Sequence, residues 1–341
     1  MTIHTALRLK DLPPPPPGKT GWPWTEQPEN IPDKMSNGSD WPHISIVTPN
    51  YNYGHFLEET IRSILLQGYP NLEYIVIDGG SSDNSVEVIK KYQDFIDYWV
   101  SEKDKGQTSA INRGLKHCTG DIFNWINSDD QLLPNALYDV AQSWNLHQPD
   151  ILIGSSIGVD ASSGDKLHHL VPRIPKNPLE FINDGQFGLQ ISQPSAFLRL
   201  SLVQEMGYLS EDLNYAFDWA FYLKVLVKLR NVNIITLPNI ISKFLVHPDA
   251  KTMKYQSLFV EEGKKVCGKL YSDFQPIEKI QISWHLKQVE SFQIVTEALS
   301  NKKRSFSLMI ELLFRNPQLC LSRFFWGALK REIFFQGMKS E

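Results

Sequence analysis

The stretch DIFNWINSDD, from Asp121 to Asp130, ends an apolar, strand-like run on two adjacent carboxylates, Asp129 and Asp130. Such a pair can grip Mg²⁺ or Mn²⁺ against a diphosphate. These hard cations take one or two protein carboxylates and draw their other ligands from water and phosphate oxygen. The same residues also suit a polar turn that caps a helix, since Asp and Asn favour turns and Pro134 follows near a plausible helix start. What else reaches the strand ends must decide between the two readings.

Three upstream segments repeat one pattern. ISIVTPNYN (Ile44 to Asn52) is a β-branched run stopping at Pro49, after which Leu57, Ile61, Ile64 and Leu65 recur at helical spacing. LEYIVID (Leu72 to Asp78) is a continuous apolar strand that opens into GGSSDNS, with Val86, Ile89 and Tyr92 marking the next helix. Tyr98 to Ser101 is extended, a helix is predicted from about Gln107 to Lys116, and the DIFNWIN strand follows. Alternation at this spacing implies an α/β domain whose parallel sheet is covered on both faces. Ligands of open sheets bind beyond the carboxyl ends of the strands, where Thr48 to Asn52, Asp78, Glu102 to Gly106 and Asp129 to Asp130 all fall. Neither GxGxxG nor GxxxxGK[ST] follows the first strand, which argues against a nicotinamide dehydrogenase and a nucleoside triphosphatase.

Taken in order, TPNYN (Thr48 to Asn52), DGGSSDNS (Asp78 to Ser85), DKGQTSAINRG (Asp104 to Gly114), NSDD (Asn127 to Asp130), QPSAFLR (Gln193 to Arg199), LNYAFDW (Leu213 to Trp219) and HPDAKT (His247 to Thr252) resemble the motifs of bacterial family 2 glycosyltransferases. The resemblance spans roughly residues 43 to 252. It implies a GT-A fold, a Rossmann-like, mostly parallel sheet flanked by helices, and an inverting glycosyltransferase using a UDP- or dTDP-sugar with Mg²⁺ or Mn²⁺. By the same resemblance, Thr48, Pro49 and Tyr51 would line the base and ribose pocket, Asp78 would accept from the pyrimidine imide, and Asp104 and Asn112 would complete the nucleotide side. Asp129 would sit near ribose and metal, Asp130 would ligate the metal, His247 would add a metal or diphosphate contact, and Asp218 would be the acceptor-activating base.

The chemistry of the reaction suits these residue types. Displacing a nucleoside diphosphate develops negative charge on the leaving oxygen, which a divalent cation answers as a Lewis acid. The acceptor hydroxyl becomes acidic only as its bond to carbon forms, so one positioned carboxylate suffices as base. Two departures stand out. Many relatives read DDGS after the second strand, whereas Asp78 is followed here by Gly79 and Gly80. Relatives often carry an arginine shortly before the last histidine, where this chain reads SKFLVH with Lys243 as the nearest cation.

Composition bounds the remainder. The 341 residues, with 42% hydrophobic and a formal charge of −4, allow a full α/β domain plus a smaller appendage. That near-neutral balance argues against nucleic acid as partner. Three widely spaced cysteines, Cys118, Cys267 and Cys320, without CxxC, suit a reducing cytosol and make the Asn37 sequon incidental. Residues 1–42 contain Pro13 to Pro17 and read as a flexible tail or docking arm, not a signal peptide. The catalytic domain is placed at 43–252 and a C-terminal helical region at 253–341. There Leu321, Phe324, Phe325, Ala328 and Leu329 form an apolar stripe among Arg304, Arg315, Arg323, Lys330 and Arg331. These helices either pack on the catalytic domain or rest on an anionic membrane surface, and no apolar run approaches 18 residues.

The expectation is therefore a cytoplasmic enzyme, with peripheral attachment at the inner face of the cell membrane as an option. Its acceptor would be a glycan or lipid-linked saccharide in bacterial cell-surface polysaccharide synthesis. A noncatalytic nucleotide-sugar or glycan binding protein of the same fold is the alternative. A sugar nucleotidyltransferase ranks behind both, because its Gly-rich, basic loop after the first strand is absent.

Overall fold

The structure is a computed structural model that describes residues 6–175, 177–183, 191–287, 306–315, 317–321 and 325–326. It divides into two compact units, Met1–Gly263 and Lys264–Glu341, so the division falls after Gly263 rather than at residue 252.

The first unit is built on a nine-stranded sheet. Its leading half alternates β1 (Ile44–Asn50), α1 (Gly54–Leu65), β2 (Leu72–Asp78), α2 (Ser85–Tyr92), β3 (Tyr98–Ser101), α3 (Gln107–Leu115) and β4 (Ile122–Trp125). These strands run in the order β3-β2-β1-β4 and pair in parallel throughout. Every residue of β1 is buried, which is the consequence of helices covering both sheet faces. Helix α1 turns Leu57, Ile61, Ile64 and Leu65 into the core, while α3 lies so close to β1 that a Cβ on Gly114 would stand 2.5 Å from Val47 Cγ1.

Beyond β4 the sheet becomes mixed. β5 (Asp130–Leu132), α4 (Ala136–His147), β6 (Ile151–Asp160), β7 (Lys166–Leu170), α5 (Pro178–Asn183), β8 (Ala196–Arg199), α6 (Leu200–Glu205), α7 (Phe217–Lys228) and β9 (Ile234–Val246) follow. β4 pairs antiparallel with β8, β8 with β6, and β9 with β5, whereas β6 and β9 run parallel. Pro49 lies inside β1 instead of ending it. It is tolerated because pairing with β4 stops at Val47↔Trp125, so its missing N–H leaves no gap in the ladder.

Residues 6–42 correct the expectation of a flexible tail. Leu12, Ile31, Met35 and Trp41 belong to the same buried cluster as α1 and β1. Arg62 of α1, fully buried, clamps the arm: its Nε donates to Pro23 O (3.1 Å), Nη1 to Pro13 O (2.8 Å) and Nη2 to Trp24 O (3.2 Å). Proline carbonyls retain their acceptor strength, so a Pro-rich strand can be held by a guanidinium that presents donors in a fixed fork.

The second unit is helical where described. α8 (Gln256–Lys269) enters it, residues 276–287 are helical, and Phe306–Arg315 forms a further helix. Phe325 is buried and Arg315 pairs with Glu311. Phe324, Ala328, Leu329, Arg304, Arg323, Lys330 and Arg331, which carried most of the membrane-facing reading, lie outside the described residues. Among the described residues no helix is long and apolar enough to cross a membrane.

Candidate functional site

The antiparallel register that pairs Asp130 with Phe244 carries the chain past the end of β9 and lays His247 over Asp129. His247 Nε2 and Asp129 Oδ2 stand 3.0 Å apart. His247 is buried, while Asp129 keeps part of its carboxylate open to the crevice. Tyr53 and Phe56 wall the imidazole, with ring centroids at 5.8 and 5.0 Å. The Tyr53 phenol is pushed up to about 12 by burial and by the charges of Asp129 and Asp249, so it stays protonated and donates to Asp249 O.

The structure separates the two adjacent carboxylates. Asp130, expected to ligate the metal, is buried, and its Oδ2 accepts from Asn127 Nδ2 at 2.9 Å. Burial, then the neighbouring Asp129 charge, holds the Asp130 carboxyl well above the usual carboxylate range. Asp129 stands in a turn that Asp130 N closes on Asn127 O at 3.0 Å, and β5 begins at Asp130, so the two carboxylates leave the backbone at different points of its bend. Polar side chains on α1 and in the turn that follows it secure the segment from behind. Thr60 Oγ1 donates to Ser128 O and Asp130 O, Ser63 Oγ accepts from Leu132 N, and Gln67 Nε2 donates to Leu133 O.

On the nucleotide side, most of the expected contacts are already spent inside the protein. Asp78 receives Asn50 Nδ2 (2.7 Å), Ser81 Oγ (2.5 Å), Ser81 N (2.9 Å), Gly80 N (3.2 Å) and Ser101 Oγ (2.6 Å). Burial alone would raise its pKa, but these bonds, led by Ser101, hold it below the ordinary range. Five donors fill the roughly four lone-pair sites of a carboxylate, leaving none for a base imide; Asp78 organises the loop instead. Thr48 is likewise buried, with its hydroxyl 3.0 Å from Tyr74 Oη. Pro49 is buried and its carbonyl accepts from Ser128 Oγ. Asn112 pins another loop, bonding Leu209 through both its amide nitrogen and oxygen.

Two members of that set remain available. Tyr51 is exposed at the end of β1. Asp104 is half-buried, accepts Gly106 N at 2.7 Å through Oδ1, and presses Oδ2 against Gly79, where a Cβ would stand only 2.9 Å away. Gly79 is the position where relatives carry a second acid, and here the Asp104 carboxylate lies in the space that a side chain there would take.

Asp218 sits in the first turn of α7, half-buried, with Oδ1 accepting Trp219 N at 2.7 Å. Burial raises it from 3.8 to about 6, against the lowering effects of backbone donors and Lys251. Glu262 fixes this helix start: its oxygens accept from Asn214 N, Tyr215 N and Ala216 N, each at 2.8 Å. Residues 45–207 match the family model described as glycosyl transferase family 2. The chain carries a family 2 glycosyltransferase domain. An uncharacterized glycosyltransferase of Rickettsia typhi is 28% identical over 195 residues, 56% of this chain and 61% of that one, so the chain spans about three fifths of that relative's length. Among solved structures, S. aureus TarS 1-349 in complex with UDP-GlcNAc aligns with a TM-score of 0.57 at 20% identity, covering 72% of this chain and 71% of its own. The mannosyltransferase PcManGT from Pyrobaculum calidifontis, in complex with GDP-Man and Mn²⁺, aligns at 0.54 and 18% identity over 91% and 88%. Both show the fold, which is that of GT-A-like glycosyltransferases.

The His247–Asp129 pair suits a divalent cation; Asp129 lies inside the matched residues and His247 beyond them. In this structure the two side chains share a hydrogen bond of 3.0 Å. The carboxylate and imidazole are both donors that Mn²⁺ accepts. Among the described residues no cluster of three His, Cys, Asp or Glu side chains converges, so these two would be the protein's share of the ligands.

Sequence reasoning did not single out four residues that shape the crevice. Gln107 Nε2 donates to Asn127 Oδ1 at 2.7 Å, and Gln193 Oε1 accepts from Asn127 Nδ2 at 3.3 Å. Lys251 donates to Gln107 Oε1 at 2.8 Å and to Asn214 O at 3.3 Å. Glu262 completes the set. Gln107, Gln193 and Lys251 stand inside quoted motifs, but as neutral or peripheral letters; Glu262 lies in none.

Proposed function

We propose that this chain transfers a sugar from a UDP- or dTDP-sugar to a hydroxyl of a glycan or lipid-linked saccharide, with inversion at the anomeric carbon. The observation that carries the reading is that Asp129, paired with His247, and Asp218, a carboxylate whose pKa of about 6 suits a general base, both act on the ammonium of Lys251 and so border one site. The acceptor oxygen forms its bond to the anomeric carbon as the bond from that carbon to the phosphate oxygen breaks. The acceptor proton passes to an Asp218 oxygen, and the electron pair of the broken bond leaves with the diphosphate. Asp218 as the one base accords with a single displacement, hence the inversion that the resemblance implies.

Asp129 and His247 would hold Mg²⁺ or Mn²⁺, which when bound supplies positive charge to the diphosphate. Tyr51 offers an exposed aromatic face for the base, and Asp104 an acceptor for its donors. TarS is described with UDP-GlcNAc and PcManGT with GDP-Man and Mn²⁺, which supports a nucleotide-sugar donor and a divalent ion in this fold. Calorimetric titration of UDP, dTDP, GDP and ADP, with and without Mn²⁺, tests the reading. Metal-dependent binding selective for a pyrimidine diphosphate is expected. Absence of binding to all four would transfer the case to the noncatalytic glycan-binding alternative.

A further inference from the structure

We propose that Lys251 is a catalytic residue of the transfer, donating from its ammonium to the diphosphate oxygen on which negative charge develops as the sugar departs. This rests on the donor reading above. The chain leaves β9 at Val246, turns through His247 to Ala250, and starts the short helix Lys251–Lys254. Lys251 therefore lies one turn beyond His247, on the loop that closes over Asp129.

Its ammonium bridges the crevice. It reaches Gln107, the first residue of α3, on one wall and the Asn214 carbonyl, just before α7, on the other. Both partners are neutral oxygens, so two of the three N–H donors of the ammonium are occupied by described residues and the third can serve a ligand. The carboxylates of Glu262, Asp129, Asp104 and Asp218 all act on the ammonium from beyond ion-pair distance. Each of the four is engaged elsewhere: Glu262 holds three backbone N–H groups, Asp129 faces His247, Asp104 accepts Gly106 N, and Asp218 accepts Trp219 N. A cation in a field of carboxylates, ion-paired with none among the described residues, is suited to an anionic ligand that arrives and leaves.

The other lysines of this part of the chain are taken. Lys243, nearest to where relatives place an arginine, is 3.6 Å from Glu59 Oε1, and Lys254 pairs with Asp249 at 2.6 Å. Of these three lysines, Lys251 is the one whose ammonium feels the charges of both Asp129 and Asp218. The scissile bond must lie between those two carboxylates, because the diphosphate is gripped at the first and the acceptor proton is taken at the second. A phosphate oxygen at the third N–H adds a charge-assisted hydrogen bond, roughly twice as strong as one to a neutral oxygen such as that of Gln107 or Asn214.

The test compares uridine, UMP and UDP binding, with Mn²⁺ present, to the full chain and to its Lys251→Met and Lys251→Arg variants. Lys251→Met should weaken UDP by about 10- to 100-fold, leave uridine unchanged, and lower kcat more than KM changes; Lys251→Arg should restore most of the loss. UDP affinity unchanged in Lys251→Met would overturn the assignment. Equal losses for uridine and UDP would also overturn it, by showing that the lysine only braces Gln107 and Asn214. A wild-type chain that does not prefer UDP to uridine would remove the donor reading itself, and this proposal with it.

Discussion

Replacing the proposed base should make the protein more stable, by an amount that depends on pH. Asp218 is raised from 3.8 to about 6 chiefly by burial, so its charged form is disfavoured in the folded state relative to the unfolded chain. At about 1.36 kcal/mol for each pH unit, the upper bound on that cost is about 3 kcal/mol. The residue keeps some solvent access, which brings the expected value to about 1–3 kcal/mol. The sign follows from the direction of the shift. Below pH 3.8 the carboxyl is protonated in both states and costs nothing; above about pH 6 it is charged in both and the full cost applies. Asp218→Asn should therefore gain little over the wild type near pH 4 and gain most at pH 7–8, measured as the difference in urea unfolding free energy at the two pH values. Transfer should fall about 10²- to 10⁴-fold while UDP binding is kept, and the wild-type rate should drop as pH falls through about 6. A stability difference that does not grow with pH, or a wild type more stable than the variant at pH 8, would refute the argument that burial of charge tunes this base.

Other perturbations follow from the same geometry. Asp129→Asn should weaken Mn²⁺-dependent UDP binding by more than about 100-fold, beyond the 10- to 100-fold typical of groups one step from an ion. Asp130→Asn, at a buried site bonded to Asn127, should change it less than about threefold; calorimetry ranks the pair, and the reverse order would return the ligand role to Asp130. Arg62→Met strands the carbonyls of Pro13, Pro23 and Trp24 and should cost about 3 kcal/mol in urea unfolding, with earlier proteolytic cutting within residues 6–42. Unchanged unfolding would show that the arm is not clamped. Gly79→Ala places a Cβ 2.9 Å from Asp104 Oδ2, and should weaken uridine about 10-fold while sparing Mn²⁺-pyrophosphate binding. Uridine affinity equal to wild type would take Asp104 out of the base pocket.

The alternation of strands and helices was legible because its two periods are written in apolar residues: Leu72 to Asp78 is β2 and Tyr98 to Ser101 is β3, at the bounds the pattern implies. The site was legible as a set of strand ends but not as roles. Asp78 gathers donors from Asn50, Ser81 and Ser101, three separate segments, and nothing in a linear string counts how many lone pairs are already filled. Asp129 and Asp130 are the same letter twice, and only the start of β5 at Asp130 decides which one turns inward. The arm was misjudged because Leu12, Trp24, Ile31, Met35 and Trp41 have no common period, so their burial rests on the surface they meet rather than on a pattern they display. Gly79 was noticed as a missing acid, yet its effect lies in making room for Asp104 from another strand end.

The polar residues buried behind the grip explain why the arm matters to the site. β5 is three residues long and pairs with β9 on one side only, so its other edge presents backbone groups that must be satisfied. Thr60 and Ser63, one turn apart on α1, and Gln67 in the turn just past its end supply those bonds. The arm adds a further one, with Trp22 Nε1 donating to Leu132 O at 2.9 Å, while Lys19 stands 3.6 Å from Glu59, which in turn accepts Gln131 Nε2. The segment that presents Asp129 is thus fixed by side chains where a sheet would use a neighbouring strand. Side chains reach only as far as their helix is held in place, and Arg62 holds α1 and the arm together from the same helix. Asp129 can meet His247 at 3.0 Å because the backbone on which it stands has no freedom left to retreat.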